Sequence, residues 1–276
     1  MPKKGLSLHI GLNRVDPSHY GGWEGQLAAC EYDAKDMQAI ARTRGFKAQM
    51  LLTRRATSAA VISTIAGAAK TLKKGDLFWL TYSGHGGQVP DTNDDEKDGR
   101  DETWVLYDRQ LVDDELYALW AKFAAGVRIV VLSDSCHSGT VTRALPTYLA
   151  LRGGGARASG LRFRVLPDAV RRKTYAKNKA LYEKIQKSHG KGDQVAMGAT
   201  VLLISGCQDN QLSSDGNRNG LFTGKLRKVW NKGKFDGGHR TFRSKIAALM
   251  PPTQTPRYTR VGAPHPTFER QKPFTV

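Results

Sequence analysis

Leu77-Phe-Trp-Leu-Thr-Tyr-Ser-Gly-His-Gly-Gly and Arg128-Ile-Val-Val-Leu-Ser-Asp-Ser-Cys-His-Ser-Gly are the two stretches that decide the fold. Each begins with a nearly continuous apolar run, which is typical of a strand buried on both faces of a mainly parallel sheet. The runs end at reactive side chains, His85 in the first stretch and Cys136 in the second. Because ligand sites in such sheets lie beyond the carboxyl ends of the strands, both side chains are expected at the same sheet edge.

Apolar runs and helical periods alternate along the rest of the chain. Predicted strands cover residues 6–12, 47–53, 77–83, 104–107, 127–133 and 200–205. Apolar spacing predicts helices at 28–43, 58–72, 113–125, 176–187, 221–230 and 243–249. This alternation indicates an α/β fold with a central, mainly parallel sheet of about six strands and helices on both faces.

The composition is typical of a soluble protein with one large domain. The chain has 276 residues, 39% of them hydrophobic, and no apolar stretch approaches the roughly 20 residues of a membrane span. Its cysteines, Cys30, Cys136 and Cys207, form no CxxC pair, which favours a reducing compartment over disulfides or a zinc site. The N-terminus shows no signal-peptide cleavage site. We therefore expect a cytoplasmic monomer with no membrane partner.

Positive charge is concentrated in one internal segment. The net charge is +18, and residues 143–191 hold thirteen basic residues against two acidic ones. Residues 140–198 also lack an apolar period, so we interpret them as a basic insertion between a larger part, 1–139, and a smaller part, 199–276. Such charge can attract polyanions, but no nucleic-acid-binding motif accompanies it, and nucleic acid is not an expected partner.

Cys136 and His85 have the chemistry of a nucleophile and its base. A thiol with an ordinary pKa of about 8.5 is barely ionised at neutral pH, so a nearby imidazole must take its proton. The glycines around His85 leave room for a substrate backbone, and the amide groups of Gly86 and Cys136 could hold an oxyanion. The alternatives are a buried strand-end thiol with a turn histidine, or His137 as the base.

The motifs Tyr82-Ser-Gly-His-Gly-Gly and Asp134-Ser-Cys-His-Ser-Gly-Thr resemble the paired signatures of metacaspases and their short bacterial relatives. Leu27-Ala-Ala-Cys-Glu-Tyr-Asp-Ala and Ser205-Gly-Cys-Gln-Asp-Asn-Gln extend the resemblance over nearly the whole chain outside the insertion. The resemblance implies a caspase-like sandwich. Residues 1–139 would form its large-subunit-like part and 199–276 its small-subunit-like part. The implied activity is that of a cysteine endopeptidase.

An acidic pocket is expected to select the residue before the scissile bond. Asp134 lies two residues before Cys136 on the same strand face, where a carboxylate would bind a cation. The resemblance extends this pocket to Asp33, Ser83 and Cys30, and Asp209 is a further candidate. Protein or peptide substrates with Arg or Lys at this position are therefore the expected partners. Bidentate pairing would favour Arg in a planar, desolvated pocket.

The basic insertion resembles a substrate of such a pocket. It is tethered next to the site, so it is a candidate for self-cleavage or self-blocking. The alternative is a solvated positive loop. The candidate processing residues are Arg143, Arg171, Arg172 and Lys173.

Residues 91–102 carry seven carboxylates. Such a loop binds hard cations or repels itself, and its spacing is not that of an EF-hand. The resemblance implies stimulation by Ca²⁺, with Asp101, Asp113 and Asp114 as candidate ligands. One usual ligand position is Arg143 here, which argues against the site. Asp113 and Asp114 also suit a helix N-terminus without a metal.

Two other functions compete with that of a peptidase. One is a catalytically silent caspase-fold scaffold or a polyanion-binding protein that uses the positive segment. The other is a different enzyme, such as a transferase, that uses the same Cys136 and His85. No cofactor is required for the proposed chemistry itself.

Overall fold

The computed structural model describes residues 2–93, 96, 98–135, 162–189, 195–208, 211 and 213–276. The strands are β1 Gly5–Gly11, β2 Lys47–Leu52, β3 Leu77–Ser83, β4 Gly86–Pro90, β5 Arg100–Val105, β6 Gln110–Val112, β7 Arg128–Asp134, β8 Thr200–Ser205 and β9 Arg257–Gly262. The helices are α1 Cys30–Thr43, α2 Ser58–Thr71, α3 Asp113–Trp120, α4 Asp168–His189, α5 Leu221–Trp230, α6 His239–Ala247 and α7 Pro266–Arg270. In the described part of the chain, no helix is long and apolar enough to cross a membrane.

A six-stranded sheet in the order β2-β1-β3-β7-β8-β9 forms the centre of the molecule. Its first five strands are parallel and β9 is antiparallel. The predicted α/β fold with a mainly parallel sheet of about six strands is thus confirmed. The strands on either side of the basic insertion, β7 and β8, are direct neighbours, so both predicted parts of the chain contribute to one sheet.

Alternate strand residues pack into two separate cores. On one face, Phe78, Leu80 and Tyr82 of β3 pack with helices α2 and α3. On the other face, Leu77 and Trp79 pack with α1, α5 and α6. Burial on both faces explains why the strands read as continuous apolar runs in the sequence.

A second, antiparallel sheet in the order β4-β5-β6 lies next to the carboxyl end of β3. It begins directly after His85, and the Tyr82 hydroxyl joins the two sheets by donating to the His85 carbonyl at 2.6 Å. The Tyr82 and Trp104 rings also stack, with centroids 4.6 Å apart. These contacts fix the chain segment that carries His85.

Helix α4 extends the helix predicted at 176–187 by eight residues at its N-terminal end and packs against the second sheet. Its Tyr182 is fully buried and its hydroxyl lies 2.8 Å from Nε2 of His19 and 3.2 Å from the Gln110 amide nitrogen, which donates to it. Part of the basic insertion is therefore a docked structural element.

Candidate active site

The carboxyl ends of β3 and β7 lie side by side. Ser83 is the register partner of Asp134, and His85 follows Ser83 by two residues as Cys136 follows Asp134. Cys136, the predicted nucleophile, lies outside the described residues, as do Asp209 and Arg143. The described part of the site thus consists of His85, Gly86 and the groups around Ser83 and Asp134.

His85 is buried with one ring nitrogen paired and the other available. Its Nε2 lies 3.0 Å from the Gly25 carbonyl, and a carbonyl can only accept, so Nε2 carries the proton in the neutral ring. Its Nδ1 has no hydrogen-bond partner among the described residues. Burial lowers the pKa of His85 to about 4, with the Gly25 carbonyl opposing the change and the Arg164 guanidinium adding to it. The ring is therefore neutral at pH 7, with Nδ1 as a free base.

Residues 23–25 hold the His85 ring in place. The Trp23 ring lies against it, with centroids 4.7 Å apart. Gly25 has a φ of +57°, and a Cβ at this position would lie 2.8 Å from the Trp23 ring. A glycine is therefore required at residue 25 for the carbonyl to reach Nε2.

Three carboxylates surround one fully buried guanidinium beside His85. Nη2 of Arg164 lies 2.7 Å from Asp33 and 3.0 Å from Asp215, and Nη1 lies 2.9 Å from Asp134. Arg164 has no exposed side-chain surface, and the carboxylates are at most 3% exposed. The Arg164 pKa is raised well above its ordinary value by these carboxylates, although burial opposes the charge. We call this group the acidic pocket.

Backbone and hydroxyl donors stabilise each carboxylate of the acidic pocket. Asp33 accepts from Ser83 Oγ at 2.8 Å and Asp134 from Thr223 Oγ1 at 2.7 Å. Asp215 accepts from the amide of residue 28 at 2.7 Å. Burial raises the pKa of Asp33 to about 6, and Arg164 opposes that rise. At neutral pH the pocket therefore has the charge to hold a cation.

The main chain of residues 162–166 lies along the same cleft. The Arg164 amide donates to the Ser213 carbonyl at 3.0 Å, and the Asp215 amide donates to the Arg162 carbonyl at 2.9 Å. On the other side, the Gly86 amide donates to the Arg164 carbonyl at 3.0 Å, and the Leu166 amide donates to the Gly86 carbonyl at 2.7 Å. The segment therefore bridges two parts of the chain, with Phe163 paired to Ser214, Val165 paired to Gly86 and a bend at Arg164 between them.

The predicted residues Asp134, Asp33 and Ser83 come together in the acidic pocket. Cys30 is buried beside it, where Arg164 and Asp33 influence its thiol. Burial raises the Cys30 pKa well above its ordinary value, so the thiol is protonated and only lines the site.

Three features of the pocket were missed in the sequence. Asp215 was overlooked because Asp215-Gly reads as a turn. Gly220 was overlooked because its role is to leave room for the guanidinium, which only the structure shows. A Cβ at this position would lie 2.5 Å from Cζ of Arg164. Arg164 was overlooked because it is one of thirteen basic residues in a segment that lacks an apolar period.

The predicted processing residues in the described chain lie in helix α4. Arg171 pairs with Asp168 at 3.2 Å, and Lys173 donates to the Gly21 carbonyl at 3.0 Å. Arg172 is exposed on the same helix. The structure places none of these three described residues in the acidic pocket, which Arg164 fills.

An acidic cluster lies between β5, α3 and the loop before them. Ligand oxygens of Glu96, Glu102 and Asp113 all lie within 4.8 Å of one another. Burial, followed by Glu102, Asp101, Asp114 and Glu96, raises the Asp113 pKa well above its ordinary value. Crowded carboxylate oxygens of this kind fit a hard cation such as Ca²⁺, and Asp101 and Asp114 contribute to the negative potential.

The sequence of this chain is similar to those of known proteins. A profile of the caspase domain matches residues 15–272. Metacaspase-1 of Mycosarcoma maydis is 32% identical over 260 residues, which cover 81% of this chain and 61% of that protein. Metacaspase-1 of Schizosaccharomyces pombe is 30% identical over 256 residues, covering 81% of this chain and 58% of that protein. The chain thus spans less than two thirds of the length of these curated relatives.

Two solved structures are similar in fold. The crystal structure of protein GSU0716 from Geobacter sulfurreducens matches with a TM-score of 0.89 and 55% identity, covering 99% of each chain. Caspase-1 from Spodoptera frugiperda matches with a TM-score of 0.57 and 12% identity, covering 94% of this chain and 86% of that one. The second similarity concerns the fold alone.

Proposed function

Since this chain belongs to the caspase-domain family, we propose that it is a cysteine endopeptidase that cleaves after arginine and, less efficiently, after lysine. Cys136 is the nucleophile, His85 is its proton partner, and the reaction passes through a covalent acyl-enzyme. One observation carries the specificity: a guanidinium is enclosed by the carboxylates of Asp33, Asp134 and Asp215. A substrate arginine has the same chemistry.

His85 supplies the proton transfers of this mechanism. Its Nδ1 is a neutral, buried base, and the Gly25 carbonyl holds the other nitrogen in the protonated form. Nδ1 takes the proton of the Cys136 thiol and returns it to the leaving amine. The Arg164 guanidinium is one of the causes of the low pKa of His85, after burial.

Gly86 supplies an oxyanion donor. Its amide already binds a carbonyl in the cleft at 3.0 Å, and the same amide would bind the oxyanion of the tetrahedral intermediate. A preorganised donor of this kind contributes roughly 3 to 4 kcal/mol to the lowering of the barrier. The predicted second donor is the amide of Cys136.

The geometry of the acidic pocket favours arginine over lysine. The two terminal nitrogens of Arg164 divide between carboxylates, Nη2 binding Asp33 and Asp215 while Nη1 binds Asp134. A lysine ammonium is a single point charge and cannot occupy both positions at once. We therefore expect a higher kcat/KM for arginine peptides than for lysine peptides.

Fluorogenic peptides ending in Arg, Lys or Asp test the proposal together with a pair of glycine variants. Gly220→Ala places a methyl group where the guanidinium lies and should reduce kcat/KM for arginine peptides at least about 100-fold. Gly224→Ala is the matched control, because its methyl group would meet only Cβ of Asn219 at 3.7 Å. The control should retain wild-type activity.

Four results would contradict the proposal. Cleavage after Asp would contradict the role of the acidic pocket, and full activity of Gly220→Ala would exclude this pocket as the arginine site. Activity that survives Cys136→Ala would exclude the nucleophile. A complete lack of hydrolysis would favour a catalytically silent scaffold.

Ca²⁺ is proposed as a regulatory ion held by Glu96, Glu102 and Asp113. The ion would neutralise crowded carboxylates next to β5, whose neighbour β4 carries Gly86. It takes no part in the acyl transfer, which Cys136 and His85 perform.

A further inference from the structure

We propose that Asn219 is a positioning residue for substrate selection, because its side-chain amide holds the Asp33 carboxylate in the orientation and the ionised form that bind a guanidinium. The inference rests on the proposed function and adds to it a residue that acts on the acidic pocket through Asp33.

The two oxygens of the Asp33 carboxylate bind different groups. Oδ2 pairs with the Arg164 guanidinium at 2.7 Å and accepts from Ser83 Oγ at 2.8 Å. Oδ1 accepts from Asn219 Nδ2 at 2.9 Å and from the Gly220 amide at 3.2 Å. Among the described residues, Asn219 is thus the side-chain donor to the oxygen that does not pair with the guanidinium.

Arg227 fixes the orientation of the Asn219 amide. Its Nη1 donates to Oδ1 of Asn219 at 2.7 Å and pairs with Asp36 at 2.9 Å. A guanidinium can only donate, so Oδ1 of Asn219 must point towards it and Nδ2 towards the carboxylates. Nδ2 donates to Asp33 and to Asp36, both at 2.9 Å. Both hydrogens of the amide and its oxygen are therefore used, and the amide cannot turn over without losing these bonds.

The Asn219 amide links a partly solvated ion pair to a buried carboxylate. Asp33 and Asp36 lie on α1, Arg227 lies on α5, and Asn219 belongs to the loop that precedes α5. The Arg227 side chain is 37% exposed, whereas that of Asp33 is only 2% exposed. Two helices thus brace the one amide that reaches the buried Asp33 oxygen from this side.

Asp33 depends on such a donor because its surroundings oppose its negative charge. The charged and titratable groups that face it are Arg164, Asp134, Asp215 and Cys30. Burial raises the pKa of Asp33 to about 6, Arg164 opposes this rise and Asp134 adds to it. The hydrogen bond from Asn219 lowers the Asp33 pKa, because it stabilises the ionised form. Without this donor, a larger share of Asp33 is protonated near neutral pH and cannot pair with a cation.

The pH dependence of kcat/KM for an arginine peptide tests the inference. Asn219→Asp keeps the shape of the side chain and an oxygen for Arg227, but it removes both donor hydrogens and adds a negative charge near Asp33. The acidic limb of the profile should move upwards by about one pH unit. His85, with a pKa of about 4, titrates below this range. The loss of kcat/KM should therefore approach about tenfold at acid pH and nearly disappear at alkaline pH.

Asn219→Ala separates positioning from a merely structural role. It removes the same donor without adding a charge, so its acidic limb should move less than that of Asn219→Asp. A side chain that only filled space would give the reverse order, since Asp preserves the shape and Ala does not. A purely structural loss would also be the same at every pH.

Asn217→Asp is the matched control. Asn217 is exposed in the same loop, two residues before Asn219. The substitution adds the same charge to the loop and leaves the hydrogen bond between Asn219 and Asp33 in place. Its pH profile should coincide with that of the wild type.

A direct titration of Asp33 gives a second readout that does not require catalysis. In protein labelled with carbon-13 at the aspartate carboxyl groups, the Asp33 signal is identified by its loss in Asp33→Asn. The midpoint of its titration should rise by about one pH unit in Asn219→Asp and stay unchanged in Asn217→Asp.

Failure of the inference and failure of the proposed function give different results. If the wild type cleaves arginine peptides but neither the acidic limb nor the Asp33 midpoint moves in Asn219→Asp, the inference is overturned and the proposed function stands. If the wild type hydrolyses no arginine peptide at any pH, the proposed function fails. The Asp33 midpoint alone then decides whether Asn219 holds that carboxylate in the ionised form.

Discussion

Burial sets the protonation state of individual side chains at the sheet edge. Burial keeps His85 neutral, with a pKa of about 4, and keeps the Cys30 thiol protonated. Arg164 stays charged in the same surroundings because three carboxylates pair with it. A buried group at this sheet edge is therefore charged only where oppositely charged side chains lie beside it.

Gly25 is predicted to be a positioning residue for His85. Gly25→Ala would press a methyl group on the Trp23 ring and strain a φ of +57°, displacing the carbonyl that fixes the His85 proton. We expect kcat to fall about 10- to 100-fold with little change in KM, as for other groups that orient a reacting residue. Steady-state kinetics with an arginine peptide measure this split.

Gly22→Ala serves as the control for this prediction. Its φ of +94° imposes comparable backbone strain, but a Cβ there meets nothing within 4 Å. Equal losses of kcat in the two variants would assign the effect to backbone strain, and the proposed role of Gly25 would be wrong.

Sequence reasoning found those site residues that lie next to a motif. Asp134 directly follows a predicted strand and lies two residues before Cys136, and the family resemblance assigned Ser83 and Asp33 to the same pocket. Arg164 and Asp215 reach the pocket from loops that are distant in the sequence, and no local pattern reports which loop fills a cavity. Their roles depend on tertiary packing.

At the scale of secondary-structure elements, the acidic cluster links β5, α3 and the loop before β5. Glu102 lies on β5 and Asp113 begins α3. Mutual repulsion of these carboxylates opposes the packing of β5 against α3. A cation bound between the carboxylates would replace this repulsion with attraction.

Ca²⁺ is predicted to stabilise this packing. Saturating Ca²⁺ at 100 times its Kd adds about 2.7 kcal/mol to the free energy of unfolding, which raises the midpoint of thermal unfolding by several degrees relative to chelator. Glu102→Gln should abolish most of the rise. Asp98→Asn, at an exposed position of the same loop, should retain it.

An unfolding midpoint that is the same in Ca²⁺ and in chelator would exclude the cluster as a Ca²⁺ site. A rise that survives Glu102→Gln would move the site elsewhere in the chain.

The elements that sequence prediction missed or made too short are those with few apolar contacts. Strand β9 is an edge strand with no buried residue, so its sequence lacks the pattern of an interior strand. Helix α4 buries mainly polar groups, Arg171, Thr174, Tyr182 and Gln186, and therefore shows little hydrophobic period. Strand β4 contains two glycines and a proline, which are rare in strands.

At the scale of the whole molecule, buried histidines of the sheet and of a helix fold in the neutral form. His9 on β1 is fully buried between the hydroxyls of Ser7 and Thr81, each 3.0 Å away. Burial, assisted by Arg42, lowers its pKa to about 3. Burial also lowers the His239 pKa to about 4.

Acid is therefore predicted to destabilise the fold through these histidines. Each has a lower pKa in the folded chain than in the unfolded chain, so its contribution is present above about pH 6.5 and is lost as pH falls towards 3 or 4. At pH 5 the loss is roughly 2 kcal/mol for each group. Denaturant unfolding at pH 7 and pH 5 measures the difference.

The variant His9→Gln should reduce the difference between the two pH values by about 2 kcal/mol, whatever its effect on stability at pH 7. An unchanged difference would mean that His9 does not carry this share of the pH dependence.

The overall architecture was predictable because it depends on strong periodic signals. Continuous apolar runs and helical spacing are enough to place five parallel strands and helices on both faces. The sequence did not predict which basic residue the acidic pocket encloses, because a net charge of +18 does not distinguish one arginine from another. That depends on the shape of the cleft.

The most direct test of the central claim compares two peptides that differ only in arginine or citrulline before the scissile bond. Citrulline has nearly the shape of arginine but no charge, so it would leave Asp33, Asp134 and Asp215 buried without a cation. We predict a kcat/KM about a thousandfold lower or more for the citrulline peptide. Hydrolysis of both peptides at comparable rates would contradict an acidic pocket that selects arginine.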